Sequence, residues 1–181
     1  LLSLFDFWAS IVITGGLCLA VVINPGLKGL ADFRGSNEAD YVVTLTGQRW
    51  TWSVTYPEGT KPEFIDELVL PADARVKFEV TATDVLHSFW VPAFRVKIDA
   101  VPGRTTHVYV SIEREGSYET DSGLRVQCAE LCGMDHGAMA LPIRVLPRAE
   151  FDAWLAEHQA ATTSTTSDGT AGTTSTTGTT A

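Results

Sequence analysis

Two hydrophobic patterns divide this chain. Residues 7–23 read FWASIVITGGLCLAVVI, an apolar run with no charge and no polar face. Such a run is at the short end of what crosses a bilayer as a helix, and Leu1, Leu2 and Leu4 lengthen it across Asp6. Asn24-Pro25-Gly26 predicts its end. A cleaved signal peptide is the alternative, but there is no basic leader and no clear small-residue cleavage site. The pattern therefore predicts one membrane-spanning helix over residues 1–24 and a polar connector over 25–40. From Tyr41 the period changes to two. Val76, Phe78 and Val80 alternate with Lys77 and Glu79, while Thr106, Val108, Val110 and Ile112 alternate with His107, Tyr109 and Ser111. Shorter runs at 41–46, 50–56, 67–70, 125–127 and 140–146 complete a set of short strands separated by turn residues. That spacing predicts an all-β sandwich over residues 41–159.

Beyond the strands, residues 147–155 read as a short terminal helix. Pro147 opens it, and Phe151, Trp154 and Leu155 share one face that packs on the sandwich. Residues 160–181 are almost entirely Thr, Ser, Ala and Gly, with Asp168 as the only charged side chain. Nothing there can fill a core, so a disordered tail is expected. Cys18, alone in the apolar run, reads as a small buried residue.

Charge narrows the partners. Against 13 Lys and Arg stand 22 Asp and Glu, a net charge of −9. A nucleic-acid partner would want a basic face, and none is expected here. An acidic surface suits a basic partner protein, and it also simply aids solubility. Lys28 and Arg34 follow the span and would place that side inside, but large domains cross largely regardless of this bias.

The chemistry is concentrated in one segment, Cys128-Ala129-Glu130-Leu131-Cys132-Gly133-Met134-Asp135-His136-Gly137-Ala138-Met139. Two thiols, an imidazole and a thioether follow the spacing C-x3-C-x3-H-x2-M. Soft sulfur ligands with imidazole select copper, and a mononuclear blue-copper site needs only one Cys. The second Cys points to a second ion, because two thiolates on a tight loop can bridge two coppers. Zinc has little use for the Met. A Cys128–Cys132 disulfide is the stronger rival in an oxidising compartment, and is expected of the metal-free protein rather than the working one.

This segment resembles the dinuclear copper A loop of cytochrome c oxidase subunit II, whose pattern is C-x-E-x-C-x3-H-x2-M. Asp84-Val85-Leu86-His87-Ser88-Phe89-Trp90-Val91-Pro92, continuing into Lys97-Ile98-Asp99-Ala100-Val101-Pro102-Gly103-Arg104, resembles the family's first-ligand segment. Gly47-Gln48-Arg49-Trp50-Thr51-Trp52 resembles its aromatic segment. Together the three blocks cover most of residues 41–158, in the family's order.

The resemblance implies a cupredoxin-like Greek-key β-sandwich carrying two copper ions. Cys128 and Cys132 would bridge them, with His87 on one ion and His136 on the other. Met139 sulfur and the Glu130 carbonyl would be the weak contacts. It further implies that the Glu130 side chain reaches a magnesium ion at the boundary with subunit I. Trp50 would lie exposed above the copper and receive the electron from cytochrome c. That electron would pass to haem in subunit I, where oxygen is reduced to water and protons are pumped. Strand alternation puts Trp50 and Trp52 on one face, where both rings could instead fill the core. His87 arrives on a loop separate from the Cys segment; His107 and His158 read as solvent-facing or structural.

The resemblance places the chain in a prokaryotic cell membrane, single-pass, with the copper domain outside. In some one-helix relatives an acidic residue near the place of Asp6 opens a proton channel in subunit I; a solvated helix-terminal charge is the plainer reading. A membrane-tethered copper carrier or electron shuttle is the rival function. Quinol oxidase subunits usually lack the copper ligands. Nitrous oxide reductase has a similar loop, typically without the Glu, and needs a propeller domain for which this chain has no room.

Overall fold

The computed structural model describes residues 3–34, 38–60 and 66–166. Helix α1 (Leu4–Val21) starts at Ser3, whose hydroxyl accepts from the Asp6 N–H while the Asp6 carboxylate accepts from the Ser3 N–H. This reciprocal cap satisfies two donors that a helix start leaves open. The helix does not stop at Asn24-Pro25-Gly26 as the sequence suggests. A π-helical turn, Val22–Leu27, carries Pro25 inside it, and α2 (Lys28–Arg34) continues beyond. Proline lacks an N–H and its ring crowds the preceding turn; one wider turn accommodates both faults without breaking the helix. The expected connector over 25–40 is therefore helical as far as Arg34. The apolar segment spans Leu4–Ala31, long and apolar enough to cross a membrane. No described residue of α1 is buried, so Cys18 is exposed rather than packed as the sequence suggested.

Ten strands follow among the described residues: β1 (Tyr41–Gln48), β2 (Thr51–Thr55), β3 (Leu68–Pro71), β4 (Ala74–Ala82), β5 (His87–Val91), β6 (Val96–Ala100), β7 (Thr106–Ile112), β8 (Gly116–Ser117), β9 (Arg125–Cys128) and β10 (Ala140–Leu146). One sheet runs β2-β1-β4-β7, and α2 lies against its edge strand β7. The other runs β3-β10-β9-β5-β6, with β8 paired to β10. The β1–β4 and β3–β10 pairs are parallel, the rest antiparallel. Parallel neighbours cannot be joined by hairpins, so the chain must cross between sheets, and this produces the sandwich. Its core is the inward set that alternation selects: Val43, Leu45, Val76, Phe78 and Val80 from one sheet meet Leu68, Phe89, Val126 and Ile143 from the other. The Phe78 and Phe89 rings lie 5.0 Å apart across it. Each such buried side chain contributes about 1.5–3 kcal/mol.

Helix α3 (Arg148–Thr166) docks through Phe151, which is fully buried against the rings of Tyr41, Tyr56 and Trp154. Its backbone is helical to Thr166, past the boundary expected at 159; the rest of the expected tail, 167–181, lies outside the described residues. His158 stacks on Trp154 and His107 is exposed on β7, the structural and solvent-facing places expected of them.

Candidate metal centre

At one pole of the sandwich, the ends of β1, β5, β9 and β10 bring the expected ligands together. Cys128 ends β9 and Met139 stands just before β10, and the Cys128 N–H donates to the Met139 carbonyl at 3.0 Å, closing the base of the loop. The Ala129 N–H donates to the Ser88 carbonyl, tying the loop to β5. Inside the loop, the Ala138 and Met139 N–H groups both donate to the Asp135 carbonyl, forming the tight turn that carries His136. His87 is the first residue of β5 and not a loop residue, as the sequence had suggested. A strand end fixes its ring more firmly than a loop would.

The two Sγ atoms are 3.8 Å apart and both thiols are free, so the arrangement is open. A disulfide would need about 2.05 Å. Two sulfurs each about 2.3 Å from one tetrahedral ion would lie ~3.8 Å apart, so the spacing fits sulfurs that share a metal. His87 Nδ1 stands 3.8 Å from Cys128 Sγ, and His136 Nδ1 stands 3.6 Å from Cys132 Sγ. Met139 Sδ is 3.9 Å from Cys132 Sγ, and the Glu130 carbonyl is 3.4 Å from Cys128 Sγ. Ligand atoms of His87, Cys128 and Cys132 all lie within 4.8 Å of one another and could hold a metal ion. His87, Cys128, Cys132 and Met139 are buried, His136 is half-buried, and the Glu130 side chain points into the open. Thiolate, thioether and imidazole are the donors that suit copper.

Electrostatics set the site for a cation. Burial pushes the Cys132 thiol up to about 11, and the neighbouring Cys128 adds to the shift. A metal must therefore expel the thiol protons as it binds. His87 donates from Nε2 to Asp84 Oδ1 at 2.9 Å, which holds the Asp84 carboxyl well below the usual carboxylate range. The N–H groups of Arg49 and Val85 and the Arg49 guanidinium add to that effect. A carboxylate behind an imidazole fixes its tautomer and leaves Nδ1 free to face a metal.

Asp84, which holds the candidate ligand His87, is a residue to which sequence reasoning gave no role, although D-x-x-H was visible. Gly47 is another. A Cβ there would stand 3.0 Å from His87 Cδ2 and 3.2 Å from Trp52 Cζ3, so only glycine lets both rings lie against β1. The two tryptophans do not share a face. Trp52 is buried beside His87, whereas Trp50 sits in the β1–β2 turn, outside the strand to which alternation applies, and is 37% exposed.

Residues 61–146 match the family model described as cytochrome c oxidase subunit II, periplasmic domain. The crystal structure of the periplasmic domain of cytochrome oxidase subunit II from Bradyrhizobium japonicum is 34% identical, with a TM-score of 0.61, covering 69% of this chain and 97% of that one. This chain belongs to the cytochrome c oxidase subunit II family. A probable cytochrome c oxidase subunit 2 from Rickettsia bellii is 33% identical over 160 residues, 77% of this chain and 57% of the relative. A subunit II domain in a mixed disulfide with a thioredoxin-like protein is 33% identical, with a TM-score of 0.59, covering 70% of this chain and 96% of that one. The chain spans about half the length of the curated Rickettsia relatives it matches. The cupredoxin-like sandwich expected of the family is the fold observed. Family membership does not favour the rival carrier or free-standing shuttle.

Proposed function

We propose that this chain is the electron-entry subunit of a cytochrome c oxidase and holds two copper ions at the sandwich pole. The observation that carries the reading is the donor set: two open thiols 3.8 Å apart, each with an imidazole Nδ1 beside it. Cys128 and Cys132 would bridge the ions, His87 and His136 would each serve one, and Met139 sulfur and the Glu130 carbonyl would be weak contacts. Copper held in this way supplies a one-electron acceptor whose bonds alter little on reduction. Asp84 orients His87, the buried Met139 and Phe89 exclude water, and the loop base holds the thiols at fixed separation.

Trp50 is the electron entry, its ring partly exposed at the loop. On the same loop as Cys132, Leu131 and Met134 are 78% and 92% exposed, an apolar rim against which a c-type cytochrome docks. The net charge of −9 favours a basic donor and steers it from a distance, an effect that salt weakens. Electrons then pass to haem in subunit I, where oxygen is reduced to water. The Glu130 carboxylate, which is exposed, would share a magnesium ion with that subunit. Helix α1 anchors the chain in a prokaryotic cell membrane, with the sandwich on the outer side. In an oxidising compartment the two thiols need a reductant before copper enters, a task suited to a thioredoxin-like protein such as the one captured on the relative.

Stopped-flow mixing of reduced cytochrome c with the copper-loaded full chain tests this reading. Cytochrome c should be oxidised rapidly, more slowly as salt rises. Trp50→Ala should slow the step by about ten-fold or more, ~1.4 kcal/mol of barrier, with the copper spectrum intact. Absence of cytochrome c oxidation, or a rate indifferent to both salt and Trp50, would contradict it.

A further inference from the structure

Gly133 follows Cys132 directly and has φ of +131°, a conformation that favours glycine. Its missing side chain has a second consequence. A Cβ at this position would stand 3.2 Å from Trp50 Nε1, 3.3 Å from Cζ2 and 3.5 Å from Cε2. The edge of the indole occupies the space that any other residue would fill. On its other flank, Trp50 is tied through its neighbour: the Arg49 N–H and Nε both donate to Asp84 Oδ2, at 3.0 and 2.9 Å. Asp84 is also the partner of His87. The ring is thus held between the loop that carries Cys132 and the carboxylate that orients His87, while 37% of the residue remains open to solvent.

We propose that Gly133 is a positioning residue that couples Trp50 electronically to the Cys132 sulfur. The inference rests on the reading of the site as a copper centre fed by a reduced c-type cytochrome. From the indole edge, one van der Waals step reaches the Gly133 main chain, and covalent bonds alone then lead to Cys132 Sγ. Electronic coupling decays much more steeply across a gap than along bonds, so the length of that single step governs the rate. The step itself is balanced simply: the ferrous haem of the donor loses one electron, the metal centre gains it, and no bond or proton moves. Any side chain at 133 pushes the ring away and lengthens the gap.

The contact is tested first without any electron transfer. In the full chain labelled with isotopic glycine, the Gly133 Cα protons should carry a ring-current displacement that disappears in Trp50→Ala. The same chemical shifts in both chains would overturn the proposal, whatever the substituted chains do. Copper-loaded chains then form a double-mutant cycle. Gly133→Ala should slow electron entry from reduced cytochrome c at least about three-fold, and Trp50→Ala about ten-fold, with Trp50→Ala/Gly133→Ala no slower than Trp50→Ala alone. Backbone strain at Gly133 is present in both arms and cancels. Slowing that multiplies in the double variant, or an unchanged rate in Gly133→Ala, would overturn the role of Gly133 while leaving Trp50 as the entry. A full rate in Trp50→Ala would overturn the entry reading itself.

Discussion

His87 is held from both sides: its Nε2–H donates to Asp84 Oδ1 at 2.9 Å while Nδ1 faces Cys128 Sγ at 3.8 Å. The carboxylate decides which ring nitrogen carries the proton, and so which is free for a metal. Replacing Asp84 by Asn keeps the volume and removes the charge. Copper affinity should fall about 10- to 100-fold, the usual cost of losing a partner behind a metal-bound imidazole. Competition with a copper chelator measures it, and an unchanged affinity would reduce Asp84 to a support for the Arg49 turn.

Met139 is fully buried with its sulfur 3.9 Å from Cys132 Sγ. Met139→Leu conserves volume, so the folding cost should stay below about 1.5 kcal/mol. The thiolates and imidazoles carry the affinity, so copper should still bind while the reduction potential shifts. Loss of copper from a folded variant would show that the thioether is needed to hold the metal.

Gly47→Ala should be costly although its position is remote from the loop in sequence. Its Cβ would press on the His87 and Trp52 rings, both rigid and buried. Overpacking of this kind costs roughly 1–3 kcal/mol, and here it should also perturb the copper spectrum by displacing His87. Denaturant unfolding and absorption together check both effects. An unperturbed spectrum with normal stability would mean that the rings yield freely.

At the opposite pole, Asp40 accepts from the Arg75 N–H at 2.8 Å and from Arg148 Nη2 at 3.0 Å, joining β4 to the start of α3. The Arg75 N–H first, then Arg148, hold its carboxyl below the ordinary range. A carboxylate depressed in the folded state stabilises it above the unfolded value, about 3.9 for Asp, and loses that contribution as pH falls below it. Asp40→Asn should therefore be less stable than the parent near neutrality, and the gap should close below about pH 4. Urea midpoints across that range give the test; a gap independent of pH would remove the charge from the account.

The parts legible in the sequence are those with a local signature. β4 and β7 alternate because one face is buried and the other is not, and the Cys–His–Met spacing fits into one loop. β5 left no such signature. Ser88 is buried among apolar neighbours because its hydroxyl donates to Asp99 and to the Ile98 carbonyl, and Trp90 alone on that strand is exposed. The strand thus lacks alternation, and His87 read as a loop residue. Alternation alone misplaces Trp50 for the opposite reason: a period of two is carried back beyond the start of β2 into a turn, whereas the family resemblance expected the exposed ring that is observed. The helix through Pro25 shows a stop signal overridden by a wider turn. Gly47 and Gly133 act through partners that are close in space and distant along the chain, where no local pattern can reveal them, whereas Asp84 stands only three residues before His87 in a D-x-x-H pattern that was open to view.

The most direct measurement is the metal content and spin state of the full chain, reduced, loaded with copper and then oxidised. Two copper ions per chain and a mixed-valence spin signal shared over both are the predicted result. A single copper with an ordinary mononuclear signal, or a native preference for zinc, would contradict a dinuclear electron-entry centre.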